Sequence, residues 1–175
     1  MNTKLLTLIF LAFLSTPQAE ITKSPFSIAV VSTQSFEHEG TIAMAHNKAR
    51  DFYVVITNTS TKPQQVFESW NSWGYQTISF SMTAVDGKQT VISKRQQDFV
   101  RNFPSTFVIQ PGEHQVVPIR FDEQWEVDPK LQKLNEMSIT LKAIYEVSPT
   151  PEAARLGVWV GHLESREYKL VLRQW

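Results

Sequence analysis

The chain has 175 residues, with 17 basic and 17 acidic side chains, a formal net charge of zero and no cysteine. Balanced charge withholds the concentrated cations that a polyphosphate backbone requires, so nucleic acid is not an expected partner. The absence of cysteine removes disulfides, thiolate metal sites and cysteine nucleophiles, and it points toward a bacterial source, since small secreted eukaryotic domains lean on disulfides.

Lys4 is the only charged side chain before Glu20, and the apolar run Leu5 to Leu14 follows it. Ser15-Thr16-Pro17-Gln18-Ala19 then breaks the run with small and turn-forming residues. A basic start, a short apolar stretch and a small residue at the cut site describe a secretory signal peptide over residues 1–19, cleaved after Ala19. The apolar stretch is shorter than the roughly 20 residues that span a bilayer, and no second run of membrane length follows, so no transmembrane segment is expected after cleavage. Residues 20–175 are then a single domain of a periplasmic or secreted protein.

Within that domain the strands come in quick succession. Phe26 to Ser32 and Phe52 to Asn58 are rich in β-branched and aromatic residues, and Gln65 to Trp70 reads as extended. Thr77 to Thr83 alternates polar and apolar, the period of a half-buried strand. Asp86-Gly87 predicts a two-residue hairpin with both residues at positive φ, returning along Gln89 to Ser93. Thr106 to Ile109 leads into Gln110-Pro111-Gly112-Glu113, a type II turn signature, and Gln115 to Phe121 returns. Met137 to Val147 is the longest alternating run, and Leu156–Leu163 with Tyr168–Leu172 predicts a closing hairpin. Helix signals are confined to Asp128–Leu134, with Asp128 as cap and Pro129 in the first turn, and to a single turn within Pro149–Arg155. Short strands with turn signals every ten or so residues predict an all-β sandwich or barrel.

The segment Val54–Ser60, the motif Trp70-Asn71-Ser72-Trp73-Gly74-Tyr75, Arg101-Asn102-Phe103-Pro104, the Gln110–Glu113 turn and the ending Gly157–Ser165 resemble a family of uncharacterised exported bacterial proteins. The resemblance spans residues 50 to 172. It implies an immunoglobulin-like antiparallel β-sandwich, and it carries no catalytic role with it. The strand ending in Asn-Thr-Ser and the Pro-Gly-Glu turn also resemble bacterial immunoglobulin-like domains generally, exported protease inhibitors among them.

Catalytic chemistry has no foothold in the sequence. No Gly-x-Ser-x-Gly elbow, Ser-x-x-Lys at a helix start, His-Glu-x-x-His or phosphate-binding glycine loop is present. The nearest metal grouping is Glu37, His38, Glu39, His46 and Asp51, whose strand alternation would split the ligands between two faces. His114 and His162 read as a turn and a strand histidine. Glu123, Glu126 and Asp128 surround Trp125, a pattern that could line a sugar subsite but more often is a solvated connection with one aromatic anchor in the core. No catalytic residue, metal ligand or cofactor is therefore assigned, and the chain is not read as an enzyme.

What remains is an aromatic cluster. Trp70, Trp73 and Tyr75 fall within six residues, interrupted by Asn71, Ser72 and Gly74. A regular strand would set Trp73 and Tyr75 on one face and Trp70 on the other, whereas the asparagine and glycine favour a bend or bulge that turns rings outward. One of Trp70 and Trp73 is expected in the core, as the central tryptophan of a sandwich. Lys94, Arg95 and Arg101 add a modest basic patch. Trp70, Trp73, Tyr75, Trp125 and Arg101 are the expected contacts for a ligand or partner. The expected function is a non-enzymatic cell-envelope module that binds another protein. The alternatives are a carbohydrate-binding module using exposed aromatics, with envelope glycan as its ligand, and a protease inhibitor inserting the Val147–Arg155 loop.

Overall fold

The computed structural model describes residues 24–32, 41–43, 52–126 and 136–173. The signal-peptide segment, the grouping around Glu37 to Asp51 and the Asp128–Leu134 helix expectation lie outside the described residues.

The described chain is all-β apart from one short helix. Strands β1 (Phe26–Ser32), β3 (Phe52–Asn58) and β8 (His114–Ile119) form a three-stranded antiparallel sheet in the order β1-β3-β8. A larger sheet runs β2 (Thr41–Ala43), β12 (Tyr168–Arg173), β10 (Glu136–Val147), β5 (Ile78–Ala84), β6 (Gln89–Lys94) and β9 (Trp125–Glu126). Strand β11 (Gly161–Glu164) also pairs with β10, and β4 (Gln64–Phe67) pairs with β7 (Thr106–Ile109) as a separate ribbon. All the described ladders are antiparallel except β12 with β2.

Period-two alternation builds the core. In β3 the buried positions are Phe52, Val54, Ile56 and Asn58, and in β5 they are Ile78, Phe80 and Met82. Strand β10 turns Ile139, Leu141, Ala143, Tyr145 and Val147 inward. The two sheets meet through these side chains: the Phe52 and Phe80 rings lie 5.5 Å apart, and Phe26 meets Tyr145 edge-on at 6.4 Å. Each large apolar side chain taken fully from water stabilises the fold by about 1.5–3 kcal/mol, so this interlayer seam holds the sandwich together. The Tyr145 phenol is pushed well above its ordinary pKa by that burial.

Five local features depart from the expectations. The turn after β5 has three residues, not two: Gly87 N–H closes onto Ala84 C=O at 2.9 Å, and Gly87 alone takes positive φ (82°). Asp86 stays at negative φ and its carboxylate accepts the Lys88 N–H at 2.9 Å, so the loop needs one left-handed residue where a two-residue turn would need two.

The predicted closing hairpin is also absent. β11 pairs with Ile144–Val147 and β12 with Glu136–Leu141, so both lie in succession along one side of β10. Ser165 bridges the break between them: its N–H donates to Ala143 C=O at 2.8 Å while its Oγ accepts the Ala143 N–H at 2.9 Å.

The segment from Gln65 stays extended only to Phe67, and Trp70 falls in a run of turns. The stretch expected to hold a single turn forms helix α1 (Pro151–Leu156), capped by the Thr150 hydroxyl at one end and by left-handed Gly157 at the other. Ala153 of α1 is fully buried, so this stretch is anchored to the sandwich and is not an extended insertion loop.

The last departure concerns the core tryptophan. It is Trp125, 3% exposed on β9, rather than Trp70 or Trp73. Its ring packs against Phe80 at 5.5 Å and Phe121 at 5.4 Å.

Candidate functional site

The Trp-x-Ser-Trp-Gly-Tyr motif forms a compact turn at one end of the sandwich, between β4 and β5. Asn71 organises it and is completely buried. Its side-chain oxygen accepts the N–H groups of Trp73 and Gly74, both at 3.1 Å. Its side-chain nitrogen donates to the Ser105 carbonyl at 3.2 Å and the Ser105 hydroxyl at 3.3 Å. Asparagine suits this post because one short amide offers acceptors to a turn and donors to a neighbouring strand at once.

The second wall is the stretch from Gln96 to Ser105, between β6 and β7. Asn102 accepts the Ser72 N–H at 3.0 Å and donates to the Ser72 hydroxyl at 2.9 Å. Glu68 N–H donates to Ser105 C=O at 3.1 Å. The Glu68 carboxylate then accepts both the Ser105 hydroxyl and the Trp70 indole N–H, the latter at 2.7 Å. These two hydrogen bonds, Ser105 first, hold the Glu68 carboxyl below the usual carboxylate range.

The result is a rigid aromatic knob. Trp70 is 43% exposed and Phe103 is 55% exposed, and their rings meet edge to face at 4.8 Å. Val100, fully exposed, sits on the same wall. The Trp70 indole nitrogen is hydrogen-bonded to Glu68 while its ring packs on Phe103, and both contacts favour one orientation.

The other expected contacts are distributed differently. Trp125 is a core ring and offers no contact surface. Tyr75 is 7% exposed and turned inward, meeting Phe99 edge-on at 5.6 Å. Burial raises its phenol pKa, with the charge of Asp122 contributing second. Lys94 lies with its Nζ 4.3 Å from the centre of the Tyr75 ring and 5.9 Å from that of Trp125. Its pKa is lowered by burial, so it is a cation filed against two rings and does not belong to a basic patch. Arg101 is exposed beside the knob. The regular-strand geometry for Trp73 and Tyr75 does not occur, because residues 69–77 form a run of turns and bends in which the Tyr75 N–H also donates to Asn71 C=O at 2.9 Å.

Trp73 occupies an intermediate place. Its ring packs at 6.5 Å on Phe67, and its indole N–H makes a long 3.4 Å hydrogen bond to Glu152. It lines a groove of about 340 Å³ together with Ser72, Gln76, Glu146, Ser148 and Thr150. A second groove of about 250 Å³ adjoins it, sharing Ser72 and Gln76 and adding Gln96, Gln97, Asp98 and Asn102.

Elsewhere the reactive side chains are structurally engaged. The Ser165 hydroxyl donates to Arg166 C=O at 2.7 Å while accepting from Ala143, so both of its roles go to backbone. His162 is flanked by Glu146 at 3.1 Å and Glu164 at 3.4 Å on the open face of β10 and β11. Among the described residues no group of three or more His, Asp or Glu side chains is placed to hold a metal ion.

Phe103, Glu68 and Ser105 belong to the knob and were not among the expected contacts. The Asn102-Phe103-Pro104 sequence was the available signal, since a residue preceding proline is confined to extended conformations. No protein-family model matches the chain, and no curated protein matches it.

Proposed function

We propose that this chain is an exported, non-enzymatic interaction module of the bacterial cell envelope, and that it binds another protein through Trp70, Phe103 and Val100. In this reading the sandwich is immunoglobulin-like, and the chain is one of the exported bacterial proteins that its tryptophan motif resembles. The observation that carries the reading is an exposed tryptophan held in one orientation before any partner arrives.

Aromatic anchors dominate protein interfaces because they remove a large apolar area from water with few rotatable bonds to freeze. Fixing such an anchor in advance reduces the entropy lost on binding. Here Glu68, Ser105, Asn71 and Asn102 all contribute to that fixing, and the ring they present is left half in water. Arg101 stands at the rim, where a charge tunes the rate and selectivity of association more than its strength. The engagement of the Ser165 hydroxyl by backbone supports a non-enzymatic role.

The test places a photo-crosslinking residue at Phe103 and, as a control, at the exposed Val91 of β6, in the protein expressed in its native host. A single protein adduct from position 103, absent from position 91, is expected. Excess wild-type protein should compete it away, and Trp70→Ala protein should not. Equal adducts from both positions, or equal competition by Trp70→Ala, would overturn the reading.

A further inference from the structure

We propose that the groove beside Trp73 is a subsite for a neutral oligosaccharide, separate from the Trp70 knob. A pyranose ring offers apolar C–H faces and an equator of hydroxyls. It is recognised by an aromatic ring together with short hydrogen-bonding groups. The Trp73 groove has that composition: one indole ring, the Gln76 amide, the hydroxyls of Ser72, Ser148 and Thr150, and the carboxylate of Glu146.

The ring is pre-positioned. Phe67 backs it at 6.5 Å and Glu152 holds its N–H, so stacking a ligand on it freezes no new side chain. Gln76 is oriented too: its side-chain nitrogen donates to Lys94 C=O at 2.9 Å, leaving its side-chain oxygen without a partner among the described residues. The Ser148 hydroxyl is likewise without a partner among them. Gln76 thus offers an oriented acceptor, and Ser148 a hydroxyl open to a ligand, on the rim of a concavity.

Size and charge narrow the ligand. A volume of about 340 Å³ falls within the roughly 300–1,000 Å³ of small-molecule sites. The adjoining groove continues past Ser72 and Gln76 with three further amides, Gln96, Gln97 and Asn102, so the site extends beyond one sugar ring. Among the described residues no lysine, arginine or histidine lines either groove; Glu146, paired with His162 at 3.1 Å, lines one and Asp98 the other. A uronate or sulfated chain would meet the Asp98 carboxylate and a Glu146 whose histidine partner lies outside the groove lining, which favours a neutral saccharide.

The experiment is calorimetric titration of the purified protein with cellohexaose, maltohexaose and chitohexaose, and with hexagalacturonate as the anionic comparison. Saturable binding of at least one neutral hexasaccharide is expected, and none of hexagalacturonate. Trp73→Phe keeps a ring on Phe67, and Gln76→Ala alters an exposed side chain, so both variants should fold with unchanged Tm. Each should weaken binding roughly three- to tenfold, the size of one lost stacking surface or neutral hydrogen bond. Trp70→Ala should bind the sugar as wild type does, which separates this site from the protein-docking knob. The proposal is overturned if none of the three neutral sugars binds, if hexagalacturonate binds as tightly, or if neither Trp73→Phe nor Gln76→Ala changes the affinity.

Discussion

Gly74 lies against the backbone of Glu68 so closely that a Cβ on Gly74 would sit 2.2 Å from the Glu68 carbonyl oxygen and 2.7 Å from its carbonyl carbon. Glycine is required there for space, not for a left-handed conformation. The obstacle is backbone on both sides, so no side-chain rotation relieves it.

Gly74→Ala is therefore expected to destabilise the fold by about 3 kcal/mol, at the upper end of the range for overpacking. Urea denaturation followed by far-UV circular dichroism measures this. The same substitution should loosen Trp70, because moving Glu68 shifts the acceptor of the Trp70 indole N–H. A shift of tryptophan emission to longer wavelength in the folded variant would register that loosening. Wild-type stability in Gly74→Ala would mean that the Gly74 and Glu68 backbones stand farther apart than the structure places them.

Asn71 tests the same turn from its polar side. Asn71→Ala leaves the Trp73 N–H without its partner, whereas the Gly74 N–H keeps the Asn71 backbone C=O at 3.2 Å and the Ser105 C=O keeps the Glu68 N–H at 3.1 Å; a buried group left unpaired costs about 1–3 kcal/mol. Asn71→Asp keeps the acceptor for Trp73 and Gly74 but aims a carboxylate at the Ser105 carbonyl oxygen where an amide donated. Both variants should lose about 1–3 kcal/mol. Asn71→Asp should in addition be most stable in acid, where the protonated carboxyl regains a donor. Denaturation at pH 4 and pH 7 separates the two effects.

Much of the fold was legible because alternation is a direct image of a two-sided sheet. Phe26–Ser32, Phe52–Asn58 and Thr106–Ile109 occur as strands at the bounds read from the sequence. The candidate site was less legible because its residues are joined across distance in the chain. Nothing local in Trp70 says that Glu68 and Ser105 will hold it, since Ser105 arrives from a turn 35 positions later. Trp125 was partly legible: its charged neighbours suited either a sugar subsite or a solvated connection with the ring anchored in the core, and the second reading holds, with Glu123 and Glu126 exposed and the indole buried between them. The parallel pairing of β2 with β12 left no sequence signal, three residues being too short to show a period.

Two tryptophans in contrasting environments give a clean partition between structure and contact. Trp125→Ala opens a cavity among Phe80 and Phe121 and should cost about 3–5 kcal/mol. Trp70→Ala removes a ring already half in water and should stay within about 1 kcal/mol of wild type. Iodide quenching should follow the same division, with Trp70→Ala removing a quenchable component. The Glu68 carboxyl, having lost the indole donor, should titrate closer to an ordinary glutamate in Trp70→Ala. Carbon-detected NMR of the Glu68 side chain reads that change.

His162 sets an expected pH dependence on the open face of β10 and β11. Its pKa is raised first by the hydrogen bond to Glu146, then by that to Glu164, with modest burial opposing them. A histidine whose folded pKa exceeds its unfolded value of 6.5 contributes stability that is complete below pH 6.5 and is lost as pH rises through the folded pKa. Glu164 runs the other way. Its pKa is lowered by His162 first and Lys142 second, so its contribution is present above pH 4.5 and is lost as pH falls through the folded value. Both contributions therefore coexist between about pH 4.5 and 6.5. The side chains are about half exposed, so solvent screening limits the pair to a few tenths of a kcal/mol. His162→Gln should be less stable than wild type at pH 5.5 and indistinguishable from it at pH 8.5. In wild type the His162 ring should titrate above 6.5 by NMR, and Glu146→Gln should bring it down. If Glu146→Gln leaves the titration unmoved, the 3.1 Å contact is not what raises the histidine, and the Glu164 carboxylate takes its place as the cause.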